Sequence, residues 1–95
     1  MASTKETIRK RLQFYGRVQG VGFRYTAIRA ANSLGVSGWV RNERDGSVTV
    51  EAQGSDAAIK KLIQTINNGP YIHIDNIIST ELKVIEGDNG FNVRY

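Results

Sequence analysis

The stretch Arg11-Leu12-Gln13-Phe14-Tyr15-Gly16-Arg17-Val18 and its continuation Gln19-Gly20-Val21-Gly22-Phe23-Arg24 change period as they are read. Leu12, Phe14 and Val18 fall on one face, and Gln13, Tyr15 and Arg17 on the other. That two-residue repeat marks a half-buried strand, interrupted near its end by Gly16. From Phe23 onward Ala27, Ala31 and Leu34 share one face of a helix, and Gly35 is a natural stop. The sequence therefore predicts a strand, a glycine-bearing loop and a helix in succession.

Working outward, Val36, Gly38 and Val40 alternate with Ser37, Trp39 and Arg41, and Val48, Val50 and Ala52 alternate with Thr49, Glu51 and Gln53. Two strands thus flank the turn-rich Glu43-Arg44-Asp45-Gly46, which is a hairpin signal. Ser55 is placed to cap a second helix with the apolar stripe Ala58, Ile59, Leu62, Ile63 and Ile66, ended by Gly69-Pro70. Ile78, Thr80, Leu82 and Val84 then alternate with Ser79, Glu81 and Lys83; after Gly87-Asp88-Asn89-Gly90, Phe91, Val93 and Tyr95 alternate again. The order βαββαβ plus a C-terminal strand predicts an α+β fold. It is that of a ferredoxin-like split βαβ sandwich, with two helices on one face of a mainly antiparallel sheet.

Length and composition agree with this architecture. Ninety-five residues, 40% hydrophobic and 23% charged, suffice for one core, so residues 1–10 are expected as a polar lead and 11–95 as a single domain. There is no cysteine, which removes disulfides, zinc thiolates and cysteine nucleophiles from consideration. No apolar run is long enough for a membrane span and the first residues are polar, so a cytoplasmic protein without a membrane partner is expected. The net charge of +4 favours anionic partners in general.

Gly16, Gly20 and Gly22 allow sharp backbone turns that aim successive N–H groups into one concavity, a nest for an anion. The helix beginning near Phe23 adds its own unpaired N–H groups and the positive end of its dipole. Arg24 lies in its first turn, where a cation opposes the dipole by about 0.3–1 kcal/mol, so an anionic partner is called for. A phosphate gripped in a bidentate contact would supply one. In a split βαβ unit the first two strands run parallel with the third between them, and their C-terminal ends lie about 10 Å apart on one sheet edge. The second strand ends at Asn42, whose uncharged amide can hold a water beside that phosphate. The loop lacks the Gly-Lys-Ser/Thr ending of a Walker loop, and no long parallel sheet follows it, so neither ATP nor NAD is expected.

These residues resemble a known family. The segment Gly16-Arg17-Val18-Gln19-Gly20-Val21-Gly22-Phe23-Arg24 is similar to the first acylphosphatase signature. Leu34-Gly35-Val36-Ser37-Gly38-Trp39-Val40-Arg41-Asn42 with Asp45-Gly46-Ser47-Val48 is similar to the second, and Glu51-Ala52-Gln53-Gly54 and Phe91-Asn92-Val93-Arg94-Tyr95 are in keeping. The resemblance covers residues 11–95. It implies hydrolysis of acyl phosphates, the mixed carboxylic–phosphoric anhydrides, to a carboxylate and phosphate, with no metal or organic cofactor. It further implies that Arg24 and Asn42 are catalytic, with Arg24 neutralising the phosphoryl oxygens and Asn42 orienting the water. Arg17, Val18, Gln19, Gly20 and Val21 would hold the phosphate through their main chain. Phosphate or sulfate would compete with the substrate, and a monomer is expected. The bulky Gly69-Pro70-Tyr71-Ile72-His73-Ile74-Asp75 departs from the family pattern and is expected to stand clear of the site.

Other candidates read as ordinary structure. His73 lies in a predicted connection without ligand or triad partners and is taken as incidental. Trp39 is expected to pack on the sheet rather than on a substrate, Arg17 and Arg41 are either part of a positive mouth or solvated, and Lys5, Arg9, Lys10 and Arg11 belong to a charged lead. Two rival functions share the fold. An RNA-binding sandwich needs stacking aromatics on its central strand, and Ser47-Val48-Thr49-Val50-Glu51-Ala52 has none, so nucleic acid is not expected as a partner. A silent phosphate sensor would have the same loop, and only activity separates it from an enzyme.

Overall fold

The computed structural model describes residues 6–95. The chain runs β1 (Thr7–Arg17), α1 (Phe23–Leu34), β2 (Ser37–Asn42), β3 (Val48–Ser55), α2 (Asp56–Asn67), β4 (His73–Leu82) and β5 (Phe91–Val93). The strands form one five-stranded sheet in the order β4-β1-β3-β2-β5. All pairings are antiparallel except β2 with β5. β3 lies between β1 and β2 and is antiparallel to both, so β1 and β2 are parallel and end on the same edge, as the split βαβ order predicts.

Register explains the core. Leu12 is opposite Val50 and Phe14 opposite Val48, while Val40 is opposite the same Val50 from the other side, so one sheet face is continuously apolar. Phe23, Ala27 and Ala31 of α1 and Ile59, Leu62 and Ile66 of α2 cover it, and all are buried. Burying a large aliphatic or aromatic side chain of this kind contributes about 1.5–3 kcal/mol. Phe14 and Phe23 meet edge to face at 4.9 Å, tying the strand before the glycine loop to the helix after it. The Ser55 hydroxyl caps α2 by accepting the Ala58 N–H at 3.1 Å. α1 begins on Gly22 in the left-handed conformation, with no side-chain cap and no acidic residue in its first turn.

Three expectations need correction. β1 begins at Thr7, not Arg11, and Arg9 is 2% exposed rather than part of a solvated lead; Lys5 lies outside the described residues. The guanidinium of Arg9 donates to Glu51 at 3.0 and 3.1 Å, to Gln53 at 3.2 Å and to Asp88 at 2.8 Å, and these long-range partners make its burial possible. β4 begins at His73, five residues before the alternation from Ile78, so His73 is in a strand. An irregularity opposite Tyr15 and Gly16 breaks the two-residue repeat there, which hid the first half of β4. Beyond it, Ile77 faces the core opposite Phe14, and Ile78 is left exposed on the other face.

The open sheet face is not bare. To pass from β4 at one edge to β5 at the other, residues 83–90 cross it, and polar side chains fasten the crossing. Gln53 donates to the Ile85 carbonyl and accepts the Ile85 N–H, both at 2.8 Å, while Asp88 receives Arg9. Trp39 is buried on this face with the guanidinium groups of Arg41 and Arg94 at 5.2 and 4.7 Å from its ring, the sheet-packing role expected of it.

Candidate active site

Residues 18–22 connect the end of β1 to α1. Gly20 and Gly22 have φ of 72° and 81°, in the left-handed region that side chains disfavour, and a Cβ at either would meet open space. Glycine is therefore required by conformation and not by crowding. Among the described residues, the N–H groups of residues 18–22 donate to no protein acceptor. The start of α1 adds further unpaired N–H groups without a capping side chain. Main-chain donors left open beside a bare helix N-terminus form an anion cradle. The Val18 side chain is buried in the core, leaving only its main chain to the loop.

Gln19 plays a part that its sequence position did not disclose. Its Nε2 donates to the Glu43 carbonyl at 2.7 Å and to the Ser47 carbonyl at 2.9 Å, tying the loop to both arms of the β2–β3 hairpin. Hydrogen bonds brace the hairpin at that point. Asp45 Oδ1 accepts from the Ser47 N–H at 2.9 Å and from its hydroxyl at 2.6 Å, holding the Asp45 carboxyl below its ordinary value. Thr49 donates to Glu43 at 2.6 Å and, with help from Arg41, holds that carboxyl low against the opposing effect of burial. Arg41 is thus engaged by Glu43 and Trp39 and is not a free cation at the mouth.

Asn42 is the last residue of β2 and adjoins Glu43, to which the loop is tied. It lies two residues beyond the buried Val40, so it continues the helix-facing side of the sheet. Its Oδ1 is buried and has no hydrogen-bond partner among the described residues. An unsatisfied buried acceptor costs about 1–3 kcal/mol unless a water or ligand donates to it. Arg24, half-buried in the first turn of α1, makes no ion pair among the described residues. Its guanidinium lies 5.8 Å from the ring centre of Tyr95, and the adjacent Arg94 donates its N–H to the Val40 carbonyl at 2.8 Å. Residues 94–95 therefore reach from β2, two residues before Asn42, to the first turn of α1 that carries Arg24.

An open cleft of about 790 Å³ adjoins the loop, lined by Arg17, Gly20, Val21, Gly22, Pro70, Tyr71, Ile72 and His73. Arg24 and Asn42 are not in its walls. Residues 70–73 do line it, so the bulky connection that was expected to stand clear of the site shares a wall with the loop. The chain is drawn there by Gly16, where β1 and β4 press together so closely that a Cβ would come 2.3 Å from the His73 carbonyl.

An α+β sandwich with open main-chain N–H groups before a helix, an arginine without an ion pair among the described residues and a buried amide oxygen without a partner among them has the parts that a small phosphoryl-handling protein needs. Comparison with known proteins narrows the class. The sequence profile described as acylphosphatase matches residues 10–93. The acylphosphatase of Bifidobacterium longum is 42% identical over 96 residues, covering 99% of both chains. The crystal structure of acylphosphatase from Bacillus subtilis superimposes with a TM-score of 0.85 at 36% identity, covering 93% of this chain and 99% of that one. An acylphosphatase from Coxiella burnetii gives 0.83 at 32% identity, covering 95% of each. The chain belongs to the acylphosphatase family, hydrolases of acid anhydrides.

Proposed function

We propose that this protein hydrolyses acyl phosphates through the site formed by residues 17–24 and Asn42. The main-chain N–H groups of Arg17, Val18, Gln19, Gly20 and Val21 and the guanidinium of Arg24 bind the phosphoryl oxygens. Asn42 Oδ1 accepts a hydrogen bond from a water and aims it at phosphorus. The water oxygen bonds to phosphorus as the P–O bond to the acyl group breaks; the carboxylate leaves with the bonding pair, and the water proton passes to a phosphoryl oxygen. A carboxylate is a stable leaving group, so positioning and charge stabilisation suffice without a strong base. Phosphate and sulfate, sharing the tetrahedral anionic shape, compete for the cradle.

The observation that carries this reading is the buried, unpartnered Asn42 Oδ1 on the edge where the loop leaves its N–H groups open. Hydrolysis of benzoyl phosphate in ¹⁸O-labelled water tests the chemistry. Label appearing in phosphate is expected; label confined to benzoate would mean attack at the carbonyl carbon and would overturn the assigned roles.

A further inference from the structure

The cleft beside the loop shares Arg17, Gly20 and Val21 with the proposed cradle, so it begins where the phosphoryl group would be held, and residues 70–73 extend it away from Arg24 and Asn42. A substrate whose phosphate lies in the cradle must send its acyl group somewhere, and this cleft opens along the cradle's wall. At about 790 Å³ it is within the range of small-molecule sites and far larger than a two-carbon acyl group needs. Its walls are mainly apolar, from Val21, Pro70, Tyr71 and Ile72, with the guanidinium-bearing Arg17 at the loop side. Tyr71 is 74% exposed, an aromatic ring left in solvent at a cleft margin where burial on binding is favourable.

The far wall is held in place and is not a loose loop. The Ile72 N–H donates to the Gly69 carbonyl at 3.2 Å, closing a turn that carries Pro70 and Tyr71 at its tip. Gly69 is so close to Ile72 that a Cβ would come 2.7 Å from Ile72 Cδ1, and Ile72 is itself buried in the core. On the next residue His73 Nε2 lies 3.2 Å from Asp75 Oδ1, and the tight approach at Gly16 fixes that segment against β1.

We infer that this cleft is the acyl subsite and that Tyr71 is a specificity-determining residue selecting flat, aromatic acyl groups over short aliphatic ones. The inference rests on the proposed acyl phosphate hydrolysis and adds the substrate class. An aryl ring entering between Tyr71 and Val21 gains aromatic contact and apolar burial, and Arg17 can lie across its face. An acetyl group reaches none of these and leaves the cleft hydrated.

The test compares kcat/KM for benzoyl phosphate and acetyl phosphate in the wild-type chain, Tyr71→Ala and Tyr71→Phe. Tyr71→Ala is expected to lower the benzoyl-to-acetyl ratio roughly fivefold to tenfold, with the acetyl phosphate value unchanged within about twofold. Tyr71→Phe, which keeps the ring, should retain the wild-type ratio, and inhibition by inorganic phosphate should be the same in all three. An unchanged ratio in Tyr71→Ala, or an equal loss on both substrates, overturns the acyl subsite while leaving acyl phosphate hydrolysis standing. A wild-type chain inactive on both substrates overturns the hydrolysis itself, and the subsite with it.

Discussion

Arg24 and Asn42 differ in what they lack. Arg24 has a positive charge in a helix first turn and no carboxylate partner among the described residues; Asn42 has a buried acceptor and no donor. Each deficit would be met by a bound phosphate with its attacking water, which is the charge and hydrogen-bond complement of the pair. Arg24→Ala and Asn42→Ala are each expected to reduce turnover of benzoyl phosphate at least about 100-fold, the scale for a lost charge-stabilising or positioning group. Both variants should keep the wild-type circular dichroism, with an unfolding midpoint no lower than that of the wild type, since each removes a group left unsatisfied in the free protein. Gln19 acts one step away, through carbonyls of the hairpin. Its two hydrogen bonds contribute about 0.5–1.5 kcal/mol each. Gln19→Ala should therefore weaken inhibition by inorganic phosphate by roughly threefold to tenfold, measured as a rise in the inhibition constant.

Among the elements, the glycines around the loop divide by physical cause. Gly20 is left-handed in open space, so an alanine there meets only backbone strain. Gly16 combines a φ of 128° with a virtual Cβ 2.3 Å from the His73 carbonyl and 2.8 Å from the Asp75 nitrogen, so an alanine must part β1 from β4. Gly20→Ala should lose about 1 kcal/mol in urea unfolding, and Gly16→Ala more than about 2 kcal/mol. Equal losses would contradict the distinction drawn between strain and contact. The type and order of every element were legible in the sequence, because amphipathic periods survive in single strands and helices. The start of β4 was not, since the irregularity opposite Tyr15 and Gly16 exchanges the faces of the strand midway and makes a period-two reading fail there. The first residues of β1 were missed for a related reason: Arg9 reads as a surface cation until its partners, more than forty residues away, are known.

On the scale of the whole molecule, stability is divided between the two faces of the sheet. The helix side is apolar; the other carries Arg9, Arg11, Glu51 and Gln53 in one network that fastens Ile85 and Asp88 of the crossing residues 83–90. Burial pushes the Glu51 carboxyl up, but hydrogen bonds and charges from Arg11 and Arg9 outweigh it, and the net shift is below the ordinary 4.5. Asp88 is lowered as well, by its hydrogen bond from Arg9 first, against the opposing effect of burial. A carboxyl lowered on folding stabilises the native state fully above its ordinary value, and that contribution is lost as pH falls through the lowered one. Stability should thus decline below about pH 4.5, and the decline should be shallower in Glu51→Gln. Glu51→Ala leaves Arg9 buried without its main partner and should cost about 3 kcal/mol, read as a lowered midpoint in guanidinium unfolding at neutral pH.

By itself the sequence determined the α+β sandwich, and it singled out the glycine loop, Arg24 and Asn42 as candidates for a phosphate site. Strand and helix periods, glycine conformation and helix polarity are local properties, and the split βαβ order then brings two strand ends together. Only the tertiary structure decided that Gln19 fastens the loop to the hairpin, that Arg9 is buried under the chain crossing to β5, and that residues 70–73 wall a cleft along the loop. Each of those depends on contacts between segments far apart in the chain, whose distances are set by packing and by close approaches such as Gly16 against His73, and no local pattern of residues encodes them.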